Sequence, residues 1–105
     1  MRVMLKVNIP VEEGNRLIRE GKLSETIEAI LAEQKPEAAY FCDDNGMRTA
    51  FIVVQIRDNS QVPSLVEPWF LAFNAHVEIH LVMVSEDLEK AAGAFKKASK
   101  EFALT

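Results

Sequence analysis

Glu37-Ala38-Ala39-Tyr40-Phe41-Cys42-Asp43-Asp44-Asn45-Gly46-Met47-Arg48-Thr49-Ala50-Phe51-Ile52-Val53-Val54-Gln55-Ile56-Arg57 carries the strongest local signal in the chain. Asn-Gly between two runs rich in β-branched and aromatic residues is the preferred chemistry of a two-residue type I′ hairpin, because both turn residues need positive φ. The turn sets the register. Asp44 falls opposite Met47, Asp43 opposite Arg48, Cys42 opposite Thr49, Phe41 opposite Ala50 and Tyr40 opposite Phe51. Cross-strand partners share a face. One face of the hairpin is therefore Ala39, Phe41, Ala50, Ile52, Val54 and Ile56. The other is Ala38, Tyr40, Cys42, Thr49, Phe51, Val53 and Gln55.

On the N-terminal side, Arg2 to Ile9 alternates with a period of two, so it reads as a half-buried strand with Val3, Leu5, Val7 and Ile9 inward. Pro10 suits a helix start. Val11 to about Gln34 reads as helix, interrupted at Gly21, with Ser24 as a cap for its second part and Pro36 closing it. After the hairpin, Asp58-Asn59-Ser60 is a loop. A helix is expected from about Gln61 to Phe73, kinked or split at Pro68 and stopped at Asn74. Ala75 to Val84 alternates again. Ser85 is expected to cap a last helix whose apolar stripe is Leu88, Ala91, Ala92, Phe95, Ala98 and Phe102. The order is β-α-β-β-α-β-α. Its first six elements are the split βαβ pattern of a ferredoxin-like α+β fold, with an antiparallel four-stranded sheet and helices on one face.

The two faces of that sheet differ in kind. The apolar set of Val3, Leu5, Val7, Ile9, Ala39, Phe41, Ile52, Val54, Ile56, Val77, Ile79 and Leu81 belongs under the helices. The other face mixes Met4, Tyr40, Cys42, Phe51, Val53 and Val82 with Lys6, Asn8, Gln55, His76, Glu78 and His80. An exposed apolar patch of that size marks an interaction site, yet a dry core does not carry lysine, glutamate and two histidines. A partner sheet enclosing a partly polar interior fits both facts. The expected assembly is a homodimer packed sheet to sheet.

Composition bounds the rest. The chain has 105 residues, 12 Lys+Arg against 16 Asp+Glu, a net charge of -4 and a single cysteine. That length predicts one domain, residues 1–105. The acidic balance speaks against nucleic acid as partner, and no apolar run is long enough to span a membrane. A lone cysteine excludes an internal disulfide framework, and no signal-peptide pattern opens the chain, so a cytoplasmic protein is expected. The isolated glycines form no phosphate loop, and no cofactor is expected.

Asn8-Ile9-Pro10 at the end of the first strand, Phe51-Ile52-Val53-Val54 after the hairpin, and Glu67-Pro68-Trp69-Phe70 before His76-Val77-Glu78-Ile79-His80 together resemble the dimeric α/β-barrel superfamily. The echo is muconolactone isomerase-like and YCII-like, of an uncharacterised bacterial kind. The resemblance implies a dimer with a cavity and leaves the reaction open, since one fold hosts many functions.

His76, Glu78 and His80 are the most chemical-looking residues. On a strand they point the same way, but His76 and His80 are about 13 Å apart along it. One metal cannot take both, because Zn–N bonds are about 2.0–2.1 Å, and no metal site is assigned. A histidine beside a carboxylate could instead shuttle protons on a bound molecule, which makes these three the candidate catalytic residues. Glu78 is equally able to pair with Lys6 on a neighbouring strand. Lys6, Asn8, Tyr40, Phe51, Gln55 and Trp69 are the candidate cavity residues, with Trp69 either packing its helix onto the sheet or covering the cavity mouth. Cys42 reads as an inert, half-buried thiol. Asp43, Asp44 and Arg48 read as a solvated charge cluster at the hairpin end. Three functions stay open: binding of a small organic molecule in the cavity, a cofactor-independent enzyme of the isomerase or monooxygenase type, and a structural or regulatory dimer without ligand.

Overall fold

The computed structural model describes residues 1–104. Strand β1 (Arg2–Ile9) leads into α1 (Val11–Arg19) and α2 (Leu23–Gln34). The hairpin strands β2 (Ala38–Asp44) and β3 (Met47–Gln55) follow. A 3-10 turn (Asn59–Gln61) then runs into α3 (Val62–Phe73), β4 (His76–Leu81), α4 (Ser85–Lys90) and α5 (Ala92–Phe102). The sheet order is β2-β3-β1-β4, with all neighbours antiparallel. This is the ferredoxin-like α+β arrangement. The hairpin has the register that Asn45-Gly46 dictates, with φ of 55° and 74° at the two turn residues. Gly46 N donates to Asp43 Oδ1 at 3.0 Å, which closes the turn.

The apolar face of the sheet is buried as its alternation requires. Val3, Leu5, Val7, Ile9, Ala50, Ile52, Val54 and Ile56 meet Leu17, Ile30, Leu65, Trp69 and Phe73 from the helices. Trp69 and Phe73 stack with centroids 5.7 Å apart. Two members of the expected apolar set stay outside. Phe41 on edge strand β2 is 55% exposed, and Leu81 at the end of edge strand β4 is 71% exposed, because the helix layer is narrower than the sheet.

Helix boundaries depart from expectation at three places. Ser24 does not cap α2; Lys22 occupies that position without a side-chain cap. Pro68 neither splits nor ends α3, which runs unbroken to Asn74 in the left-handed region. A proline at that position removes the hydrogen bond to the Ser64 carbonyl. Gln34 of α2 supplies a replacement, its Nε2 donating to Ser64 O at 3.3 Å and Leu65 O at 2.9 Å while its Oε1 accepts from Trp69 Nε1 at 3.3 Å. One amide thus repairs the proline defect and ties α2 to α3. Finally, the last helix is two helices that break at Ala91. Its cap is Val84, whose N–H donates to Asp87 Oδ2 at 2.9 Å, with Ser85 as the first helical residue.

The last segment shapes the molecule. Every residue of α5 is exposed, including Phe95 at 58% and Phe102 at 76%, so among the described residues its stripe is left uncovered. The molecule measures 59 × 28 × 21 Å with a radius of gyration of 17.7 Å. A compact chain of this length has a radius of about 13 Å.

Candidate functional site

The period of two that buries one face of the sheet displays the other. β1 presents Met4, Lys6 and Asn8. β3 presents Thr49, Phe51, Val53 and Gln55, and β2 presents Tyr40, Cys42 and Asp44. β4 presents His76, Glu78 and His80. Among the described residues no helix covers this face. Tyr40 is 67% exposed, and Met4, Phe51 and Val53 are half-buried only by their neighbours.

A polar network occupies the hairpin end of the open face. Lys6 Nζ lies 2.9 Å from Asp44 Oδ2. Asn8 Nδ2 donates to Thr49 Oγ1 at 2.7 Å and to Asp44 Oδ2 at 3.4 Å, and Thr49 Oγ1 donates to Met47 O at 3.0 Å. Asn8 and Thr49 are buried. The expected Lys6–Glu78 pair does not form, although the two residues stand opposite each other in register. Lys6 reaches past β3 to Asp44, which Asn8 also holds and which is the less exposed carboxylate, while Glu78 stays in water and contacts His80 Nε2 at 3.4 Å.

The network is visible in its titration. The hydrogen bond from Lys6 holds the Asp44 carboxyl below its ordinary range, with help from Asn8, and the hydrogen bond to Asp44 raises the Lys6 ammonium. A carboxyl with a depressed folded pKa stabilises above its unfolded pKa and loses that contribution as pH falls through the folded value. A raised ammonium stabilises below its unfolded pKa and loses that contribution as pH rises through the folded value. Asp44→Asn should therefore flatten the acid limb of a stability–pH curve below the ordinary carboxylate range. Lys6→Met should flatten both limbs, and chemical denaturation across pH reads each.

The sequence-derived cavity residues separate. Lys6, Asn8, Tyr40, Phe51 and Gln55 share the open face, whereas Trp69 lies on the helix side, fully buried. His76, Glu78 and His80 all stand exposed on edge strand β4. Tyr40 and Cys42 stand on β2, the opposite edge, three strand spacings or about 14 Å away. Cys42 is exposed rather than half-buried, as an edge strand allows. Among the described residues no group of three or more His, Cys, Asp or Glu side chains could hold a metal ion.

The hairpin-end charges also separate. Asp44 joins the open-face network and Asp43 closes the turn. Arg48 points to the helix side, where its Nη2 donates to Asn15 Oδ1 at 3.0 Å. It lies across Gly14, where a Cβ would come within 2.6 Å of Arg48 Nη1. There it walls a pocket of about 610 Å³ between the hairpin and the helices, with Ile9, Ile27, Phe41, Met47 and Trp69 also on its lining. Nothing in the alternation marks this pocket. Phe41 and Trp69 fall in step with the core residues, and the only signal is an arginine beside an apolar pattern.

The fold and the open face define a ferredoxin-like α+β protein. Neither a protein-family model nor a curated protein matches the chain. Among solved structures it is similar to 5-chloro-2-hydroxyhydroquinone dehydrochlorinase (TftG) from Burkholderia phenoliruptrix AC1100, in complex with 2,5-dihydroxybenzoquinone. The identity is 18% over 82% of this chain and 98% of that one, with a TM-score of 0.56. It is also similar to a formyltetrahydrofolate deformylase from Pseudomonas putida KT2440, at 12% identity and a TM-score of 0.50 over 99% of this chain and 40% of that one. The chain thus spans well under half of the deformylase. At these identities the likeness is one of fold. No helix among the described residues is long and apolar enough to cross a membrane.

Proposed function

We propose that this chain is one domain of the dimeric α/β-barrel kind that pairs with a second copy through its open sheet face and binds a small organic molecule between the two sheets. The observation that carries the reading is the face itself, an uncovered apolar surface with a satisfied polar network set into it. A solvated sheet has no need of Met4, Tyr40, Phe51 and Val53 on its outer side. A cavity needs a largely apolar wall with a few placed polar groups, and Lys6, Asn8, Asp44 and Gln55 supply them.

Surface area supports the pairing. The chain exposes 7409 Å². A compact chain of its mass exposes about 5,900 Å². The excess, taken over two chains, is about 3,000 Å² and falls within the roughly 2,000–5,000 Å² that permanent homodimers bury. Part of it is the uncovered stripe of α5, which a second copy would cover. The dehydrochlorinase of like fold is in complex with 2,5-dihydroxybenzoquinone, a small organic molecule of the class proposed for this chain.

The second reading is a cofactor-independent enzyme. The Glu78–His80 contact favours it, because a carboxylate beside an imidazole is the minimum for moving a proton on a bound substrate. Native mass spectrometry of the protein as purified tests the main reading. The expected spectrum is a dimer that retains added mass, and Lys6→Met should lose that mass while the dimer remains. A bare chain that takes up nothing from a panel of small phenols and quinones, with or without the substitution, overturns it.

A further inference from the structure

We propose that the helix-side pocket is a second ligand site, separate from the open sheet face, and that it takes a small organic carboxylate with its ring or chain in the pocket and its anionic end on Arg48. The pocket's 610 Å³ lies within the range of small-molecule sites, about 300–1,000 Å³. Its walls are mainly aliphatic and aromatic, so the body of a ligand would be apolar.

The charge at its edge is what specifies the anion. Arg48 is half-buried and, among the described residues, forms no ion pair; its one hydrogen bond goes to the neutral Asn15 Oδ1. The register places Asp43 opposite Arg48, the natural partner, yet Asp43 Oδ1 accepts from Gly46 N instead. A guanidinium has five N–H donors in a fork that matches a carboxylate, and most of them here have no protein acceptor among the described residues. Gly14 makes the room in which the guanidinium lies, since a side chain there would push it away. α1 begins at Val11, which also lines the pocket, but Glu12 and Glu13 in its first turn offset the positive end of its dipole, so the guanidinium is the cationic group at this edge. Among the described residues Asp43 is the one acidic side chain on the lining; its carboxylate keeps its charge while accepting from the turn N–H and weakens the attraction for an anion, so the preference rests on the unfilled donors of Arg48.

Trp69 is the only tryptophan of the chain and is among the residues that line the pocket, so its single indole N–H signal is a resolved probe beside the site. The probe is 3-cyclohexylpropanoate, compared with its neutral amide, in ¹H–¹⁵N titrations. The expected result is a shift of the Trp69 signal with the acid binding at least about tenfold tighter than the amide, the size of one charge-assisted contact. Arg48→Gln should erase that preference, and Arg48→Lys should keep part of it. Equal binding of acid and amide, a preference that survives Arg48→Gln, or no Trp69 shift up to about 1 mM acid would overturn the proposal. Should Arg48→Gln fail to fold, the acid–amide comparison in the unaltered protein decides alone. The pocket lies on the far side of the sheet from the proposed dimer contact, so a monomer in the first experiment leaves this one intact.

Discussion

Trp69→Ala should lower the stability of the chain by about 3–5 kcal/mol, the cost of emptying a large, fully buried aromatic site. Trp69 has no exposed surface, stacks on Phe73 and holds Gln34 through its indole N–H. Its loss removes more than volume. Gln34 would lose the partner of its Oε1, and the amide that satisfies Ser64 O beside Pro68 would lose its anchor. Gln34 is half-buried, so water can take over part of its lost bond, and the emptied aromatic volume sets the size of the effect. Against a total of about 5–15 kcal/mol for a domain, the change is severe. Urea denaturation followed by circular dichroism reads it as a lowered midpoint with an unchanged slope. A loss under about 1 kcal/mol would mean that the indole is not the keystone of the helix layer.

Val53→Lys should abolish self-association and leave the fold intact. Val53 lies on β3, an interior strand, between Met4 and Ala38 on the open face. In a lone chain the new ammonium extends into water and costs little. Between two packed sheets it would be buried without a partner, and two-fold symmetry would bury it twice. Weakening by at least about 100-fold is expected, equivalent to about 2.7 kcal/mol. Size-exclusion chromatography with light scattering measures the association, and the far-ultraviolet circular dichroism spectrum should not change. Unaltered association would remove Val53 and its neighbours from the interface.

The parts of the fold readable in the sequence are those set by local chemistry. Asn45-Gly46 admits one turn type, and that turn counts the register from Asp44 and Met47 without any distant information. The period of two then sorts Val3, Leu5 and Val7 from Met4, Lys6 and Asn8. What stayed hidden depends on contacts between elements far apart in the chain. Pro68 reads as a helix breaker until α2 brings Gln34 beside it. Lys6 has two acidic residues within plausible reach, and only the diagonal across β3, together with Asn8, selects Asp44 over Glu78. The stripe of α5 looks the same whether its own chain or another covers it, so periodicity could not show that Phe95 and Phe102 stand free. The helix-side pocket was invisible for a similar reason. Phe41 alternates as a core residue, and its exposure follows from where the helices stop.

Whether the open face meets its copy can be read from an isotope-filtered nuclear Overhauser experiment on a one-to-one mixture of ¹³C-labelled and unlabelled chains. Sheet-to-sheet pairing should give contacts between labelled and unlabelled chains at Met4, Phe51, Val53 and Val82. A mixture with no such contacts, or with contacts confined to the helix layer around Ile18, Phe70 and Leu71, would exclude that pairing.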